Sequence, residues 1–557
     1  MKKLILLSLS IMLGLNSFSQ VVWDWAKSGK DSDTNALCES YKIAVDTYGN
    51  SFITGYFQDS MTFDTCVIYT VSSSGFVAKY NLSGGIVWAK SIGGLGSRVS
   101  DVATDVNGNV YIVGNFTGTI IVDSYTFTAS LSDGFLIKYD PLGNVLWAKT
   151  FDTDNIRGIA TDNMGNLLMA GVFTTPTLVI DTVTIVSSGY EDIYLAKFDS
   201  NGNMVWVKHP SGNWDDDIRS ITTDDFGNTY ISGSTSSTPL NFGGASVTCT
   251  TGLPNYYLTK FNTLGNVVWA KTNTVNIASS GLVTPFVLAT NHLGKVIVTG
   301  NLSINAQPVA TTSFGSITLS VSGFSASGGC FVVQYDSTGA EEWGRCSTQT
   351  SSFGSGVASD DYGNVYVSGG FSDSSITIDS VTLPIQSGID DMFVYKFNTL
   401  GNVIWAQSFA GGGDDANDIA VNDCDVYIGG DFAVNPFVIG NDSLLLNSRE
   451  EPFITMFHFG QCSFGISEFS NPQTTVNIAP NPFTSQTTIS FSEAQTNTTI
   501  KIRDVLGNTV NSLKASGKSI TLDMSGVAKG IYFVEITDGS ANSPTVRNVV
   551  NKKIIIQ

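Results

Sequence analysis

The sequence predicts an all-β chain: a seven-bladed β-propeller closed by its own N-terminal strand, followed by a small C-terminal β-sandwich. Three observations carry this expectation. A motif A-x-D-x-x-G-N-x-Y-x-x-G-x-F recurs seven times, at intervals of roughly 60 residues. A second motif, F-x-x-K-Y-D-x-x-G-N-x-x-W-A-K, follows each copy but the last. The missing W-A-K of that last copy is found instead at the N-terminus, in 21–27 (VVWDWAK).

Residues 1–19 read as a signal peptide. Lys2 and Lys3 precede a short apolar run at 4–15, and Ser17 and Ser19 stand at the cleavage positions, with the mature start expected at Gln20. The run is too short for a membrane span, and no later stretch is long enough.

Residues 20–462 form the expected propeller. The first motif is clearest at 103–116 (ATDVNGNVYIVGNF) and returns at 44–57, 160–173 and 358–371, with weaker copies from Thr222, Ala289 and Ala420. Its V-Y-I-V-G and the partner's F-L-I-K-Y are rich in β-branched and aromatic residues, which suit strands. D-x-x-G-N reads as a turn, because Gly accepts positive φ and Asp caps nearby amides. Each unit therefore gives four strands, with an extra hairpin between the second and third, as at 177–186. Four strands repeated radially make a propeller blade. The last third strand, 453–459 (FITMFHF), needs a fourth, and 21–27 supplies it. Pairing the two ends leaves no loose terminal edge. A polar linker at 463–475 leads to the alternating strands of 476–557, which read as a small β-sandwich.

The composition agrees. There are 56 Gly, 33 Phe and 19 Tyr, which fits many short strands joined by tight turns. The net charge of −20 excludes nucleic acid as a natural partner, since phosphates call for Lys and Arg. Seven Cys leave at least one without an internal partner. Cys330 and Cys346 stand eight residues either side of the turn at Thr338, so a cross-strand disulfide between them is expected.

The repeats resemble the SBBP-type blades of bacterial secreted β-propeller proteins, over residues 20–460. The tail resembles the type A C-terminal sorting domain of the Bacteroidetes type IX secretion system. Its motifs are P-N-P at 480–482, D-x-x-G-x-x-V at 504–510, G-x-Y-x-V-x-I at 530–536 and a final K-x-I-x. That resemblance implies contact with the type IX machinery, translocation across the outer membrane, removal of the tail, and release or attachment at the cell surface.

Function is less legible. The D-x-x-G-N turns gather on one face of a propeller, while the variable links gather on the other, where binding is expected. Acidic residues crowd those links: Asp31 and Asp33, Asp152 and Asp154, Asp215, Asp216 and Asp217 beside Trp214, and Asp414, Asp415 and Asp418. Clustered carboxylates suit a hard cation such as Ca²⁺, and an exposed Trp214 suits a sugar ring. No cofactor is otherwise implied. The repeated Asp105, Asp162, Asp224 and Asp360 read as turn caps, and the repeated Trp as packing between blades. The three His lie in no hydrolase motif. The expected function is a secreted or surface binding protein for an extracellular glycan or protein. The alternative is a polysaccharide-acting enzyme with carboxylates near the channel mouth.

Overall fold

The computed structural model describes residues 21–556 apart from 33–35, 130, 154, 249–253, 276–280, 305–308, 323–327, 349–350, 387–389, 411–415, 460–475, 480–483, 504–508 and 538–548. The signal-peptide segment, Cys249, Cys462, Asp33, Asp154, Asp414 and Asp415 lie outside the described residues, as does the P-N-P of the tail. The chain divides into two units, Met1–Phe459 and Gly460–Gln557.

The first unit is the propeller. Its innermost strands are Glu39–Val45, Leu95–Thr104, Ile156–Thr161, Asp216–Thr223, Gly281–Thr290, Ser352–Ser359 and Asp418–Asn422. Each leads into three further antiparallel strands of its blade. In blade seven the outermost strand is Val21–Ser28, which pairs with Glu451–Phe459 from Val21 opposite Phe459 to Ser28 opposite Phe453. His458 and Asp24 meet across this pairing at 2.7 Å. The extra hairpin is present as well, for example Thr177–Ile180 with Val183–Val186.

Why the repeated residues are repeated is visible in blade two. Oδ1 of Asp105 accepts the backbone N–H groups of Asn107 and Asn109, and Oδ2 accepts the Asn109 side-chain amide. The same Asp lies 3.4 Å from Lys138, the Lys of F-x-x-K-Y, with both side chains almost fully buried. Tyr111 donates to Asp105 and to the Gly165 carbonyl of blade three. The A-x-D Asp is thus a turn cap, the anion of a buried ion pair and a link to the next blade. Lys197–Asp162, Lys260–Asp224 and Lys396–Asp360 repeat the pair. Removing one partner would strand a buried charge, at about 3–5 kcal/mol.

The outer Trp residues join blades. Trp88, Trp147 and Trp269 donate Nε1–H to Pro141, Ser200 and Ser337 of the following blade at 3.2–3.3 Å. Each indole covers a turn glycine. At Gly143, φ is +84° and a Cβ would stand 3.1 Å from the Trp88 ring, so both the backbone and the contact require glycine. Hydroxyls add a second tie near the channel: Thr161, Thr223 and Thr290 each donate to the equivalent carbonyl one blade back, at 2.6 Å.

The expected disulfide between Cys330 and Cys346 is not formed; both are free thiols, as are Cys38 and Cys66. In the Gly329–Tyr335 and Glu341–Cys346 hairpin, Gln334 faces Trp343 and Tyr335 faces Glu341, leaving Glu342 as a bulge. That extra residue sets Cys346 opposite Phe331. Cys330 and Cys346 therefore point to opposite faces of the blade and pack in different cores. Cys424 is disulfide-bonded, to a partner outside the described residues.

In the second unit, the hairpin Gln486–Arg503 and Thr509–Asp523 loses regular register midway, between Ser490 and Thr498. Its two halves contribute to one core, with Ile489, Phe491 and Leu522 from one and Ile500 and Ile502 from the other. Gly530–Thr537 and Val549–Ile556 extend the second half. The described strands of this unit thus join in one five-stranded antiparallel sheet, bent so that its halves share a core, where the sequence predicts a two-sheet sandwich.

Candidate functional site

The inner strands share an irregularity that the motifs do not announce. In blades one to six each pairing with the second strand skips one residue: Tyr41, Ser100, Arg157, Arg219, Phe286 and Ser355. Each is a β-bulge three residues before the repeated A-x-D alanine or its counterpart. Bulges re-aim side chains and are frequent beside functional sites. Here five of the six line the central channel or its mouth.

The mouth opens on the face of the variable links. It is a cavity of about 570 Å³. Aromatic groups come from Tyr41, Phe286 and Phe353; the two Phe rings meet edge to face at 6.4 Å. Polar groups come from Glu39, Ser355, Asn417, Asp431 and Glu450. Tyr41 stacks on Tyr56 at 6.1 Å, and Arg98 lies 4.6 Å over the Tyr56 ring while donating to the Tyr41 hydroxyl at 3.2 Å. These contacts fix the Tyr41 ring before any ligand arrives.

Asp431 is the most buried of the mouth carboxyls. It accepts the Ser40 N–H and the Asn417 side-chain amide, both at 2.6 Å. Burial nevertheless pushes its pKa well up, with the Glu450 charge adding to the rise. The corresponding residue in blade two is Asn115, so Asp431 is no part of the repeat.

Below the mouth, residues of all seven blades enclose about 240 Å³. Asp217 bridges Arg219 at 2.6 Å and Arg157 at 3.6 Å. Asp101 and Asp418 accept the backbone N–H groups of Ile159 and Ile43 from the neighbouring blades. Burial raises the carboxyl of Asp101 to about 6. Lys42 lies 3.6 Å from Asp418. The charges of this layer answer one another across blades.

The sequence-predicted cluster at 214–217 does not converge. Trp214 is half-exposed and stacks with exposed Tyr190 at 5.7 Å on the variable face. Asp215 is exposed. Asp216 is buried, accepting the hydroxyls of Thr235 and Ser237. Asp217 turns into the channel. Strand alternation sends the last two to opposite sides. Asp31 is buried against Cys38, and Asp418 ties blade seven to blade one. Among the described residues no group of three or more His, Cys, Asp or Glu is placed to hold a metal ion.

Comparison with known proteins bears on both units. A model of the secretion system C-terminal sorting domain matches residues 477–557. A β-propeller repeat model, SBBP, matches residues 205–241, from the outer strand of blade three into blade four. An uncharacterized WD repeat-containing protein, L264, of Acanthamoeba polyphaga mimivirus is 23% identical over 532 residues. The match covers 77% of this chain and spans 37% of that relative's length. Among solved structures, the Dos1 propeller is 10% identical, covering 76% of this chain and 95% of its own, with a TM-score of 0.38. PorZ, a surface component of the type IX secretion system of Porphyromonas gingivalis, is 11% identical over 93% of both chains, with a TM-score of 0.20. No helix among the described residues is long and apolar enough to cross a membrane. The chain is a seven-bladed β-propeller that contains an SBBP β-propeller repeat at 205–241 and bears a type IX C-terminal sorting domain at 477–557, which addresses it to the cell surface or the medium.

Proposed function

We propose that the exported propeller is a glycan-binding protein and that its ligand seats in the channel mouth. The observation that carries this is the lining of the 570 Å³ cavity: aromatic rings from three blades beside carboxylate, amide and hydroxyl groups. Sugars present an apolar C–H face to aromatic rings and hydroxyls to such acceptors and donors. The exposed Trp214–Tyr190 pair on the same face offers a second platform for an extended chain. A glycan and polysaccharide array probed with the full chain, with and without Ca²⁺, tests the reading. Binding that falls about tenfold or more in Phe353→Ala supports it. Binding to no glycan, or binding indifferent to that substitution, overturns it.

A second reading, an enzyme acting on polysaccharide, is favoured by one observation. Burial pushes the Asp431 carboxyl well up and it shares the cavity with Glu39 and Glu450, and grouped carboxyls suit general acid–base work. Mass spectrometry of the bound glycans separates the two readings. Product that disappears in Asp431→Asn favours the enzyme.

A further inference from the structure

The face opposite the mouth carries a feature the turn motif does not need. In the A-x-D-x-x-G-N turns, geometry fixes the Asp cap and the Gly with positive φ, and leaves the middle positions free to be polar. Yet six successive blades place a large apolar side chain there: Tyr48, Val106, Met164, Phe226, Leu293 and Tyr362, between 46% and 83% exposed. An exposed leucine stands at the matching place of the outer turns in blades two, four and six. Tyr48 lies against the Gly108 turn of the next blade, and Phe226 against the Gly294 turn. The apolar groups thus form a ring around the lower end of the channel rather than scattered points. Contiguous exposed apolar surface of this kind marks interaction sites.

The charge of the face narrows what it takes. Asp225 and Asp361 are exposed, and His292 bridges them at 2.5 and 2.8 Å. Asp423, in the turn of blade seven, has its carboxyl raised by burial and by the nearby Asp361 and Asp360 charges. Across the inner turns the single Lys is Lys295, already paired with Glu342 at 2.8 Å, and the outer turns contain neither Lys nor Arg. Cross-blade contacts, including Asn163 donating to the Asp225 carbonyl, hold the surface in one shape.

We propose that this face docks a polypeptide whose contact surface combines apolar side chains with lysine or arginine. An acidic face repels an anionic lipid surface, and a second copy would oppose carboxylates to carboxylates. The site is independent of the glycan reading, since it lies at the other end of the channel.

The test pans a display library of short random peptides against the full chain. Enriched peptides are then titrated against wild type, against the combined Met164→Ser, Phe226→Ser and Leu293→Ser variant, and against Asp225→Asn with Asp361→Asn. The expected peptides carry apolar residues beside Lys or Arg and lose about tenfold or more in affinity on both variants. The ring side chains are exposed, so melting temperatures should stay near wild type; the isosteric Asp→Asn pair keeps the test decisive if the triple variant unfolds. Absence of enrichment, enrichment of peptides without cations, or affinity unchanged by the variants overturns the proposal. So does self-association, or binding to phosphatidylcholine vesicles, that the triple variant abolishes.

Discussion

Replacing Trp25 by Ala tests the closure of the ring. Trp25 belongs to the N-terminal strand that completes blade seven, yet its indole crosses the seam to blade one. Nε1 donates to the Leu82 carbonyl at 3.0 Å, the ring covers Gly84, and it stacks with Tyr80 at 6.1 Å. Trp88 makes the same three contacts between blades one and two, with Pro141, Gly143 and Tyr139. Both residues are 7% exposed. Truncating a buried Trp costs about 3–5 kcal/mol, the lost hydrogen bond included. At about 2.1 cal/mol/K per residue, a unit of this size has a transition entropy near 0.9 kcal/mol/K, so the melting temperature should fall by roughly 3–6 °C. Trp88→Ala should fall by a similar amount. The variants differ in what they loosen. Blades one and two stay joined by continuous chain, whereas the chain crosses the seam only through the pairing of Val21–Ser28 with Glu451–Phe459, beside polar ties such as Asp418 to Ile43 and Asp431 to Ser40. Hydrogen exchange in Val21–Ser28 should therefore accelerate in Trp25→Ala and not in Trp88→Ala. A shift below about 1 °C with unchanged exchange in that strand would refute closure by the N-terminus.

Two further outcomes follow from buried groups. Burial raises the Asp216 carboxyl from 3.8 to about 6, so the folded protein holds this proton more tightly than the unfolded chain. Its contribution is full below about pH 4 and is lost as pH rises through 6, a change of about 3 kcal/mol. Urea midpoints across that window should lose part of their downward slope in Asp216→Asn, and an unaltered slope would count against the assignment. Peptide mapping under non-reducing conditions should find no link between Cys330 and Cys346 and a disulfide at Cys424. Cys330, buried and raised to about 12, should alkylate only on unfolding; a linked 330–346 peptide would contradict the register of the blade.

The residues that backbone geometry dictates were legible, because seven blades pose the same local problem seven times. A turn that needs a cap and a positive φ selects Asp or Asn with Gly in the inner turns of blades one to six, so Asp105 and Gly108 have counterparts that reveal the blade. The orphan strand at 21–27 was legible for the same reason. The bulges were not. The residue before each outer Trp, such as Leu146 or Glu342, is extra to the ladder. Counting evenly outward from Thr338 therefore misplaces Cys346 by one residue, which in a strand is the opposite face.

The channel was hidden by the property that makes it functional. Much of its lining comes from one column of the repeat, three residues before the A-x-D alanine, which places Tyr41, Arg157, Arg219, Phe286 and Ser355 there. A search for recurrence discards that column as noise. Read the other way, a column that sits between conserved-geometry positions yet changes chemistry from blade to blade is where a symmetric scaffold acquires an asymmetric site. Three of the five arginines between residues 20 and 460, Arg98, Arg157 and Arg219, stand on the inner strands of consecutive blades. That concentration was the available signal. The acidic cluster at 214–217 drew attention instead because adjacency in sequence is easily seen. In a strand, though, adjacency separates side chains: Asp216 goes to the core and Asp217 to the channel. In this fold residues converge across blades, at spacings near 60, and a site has to be sought at that interval.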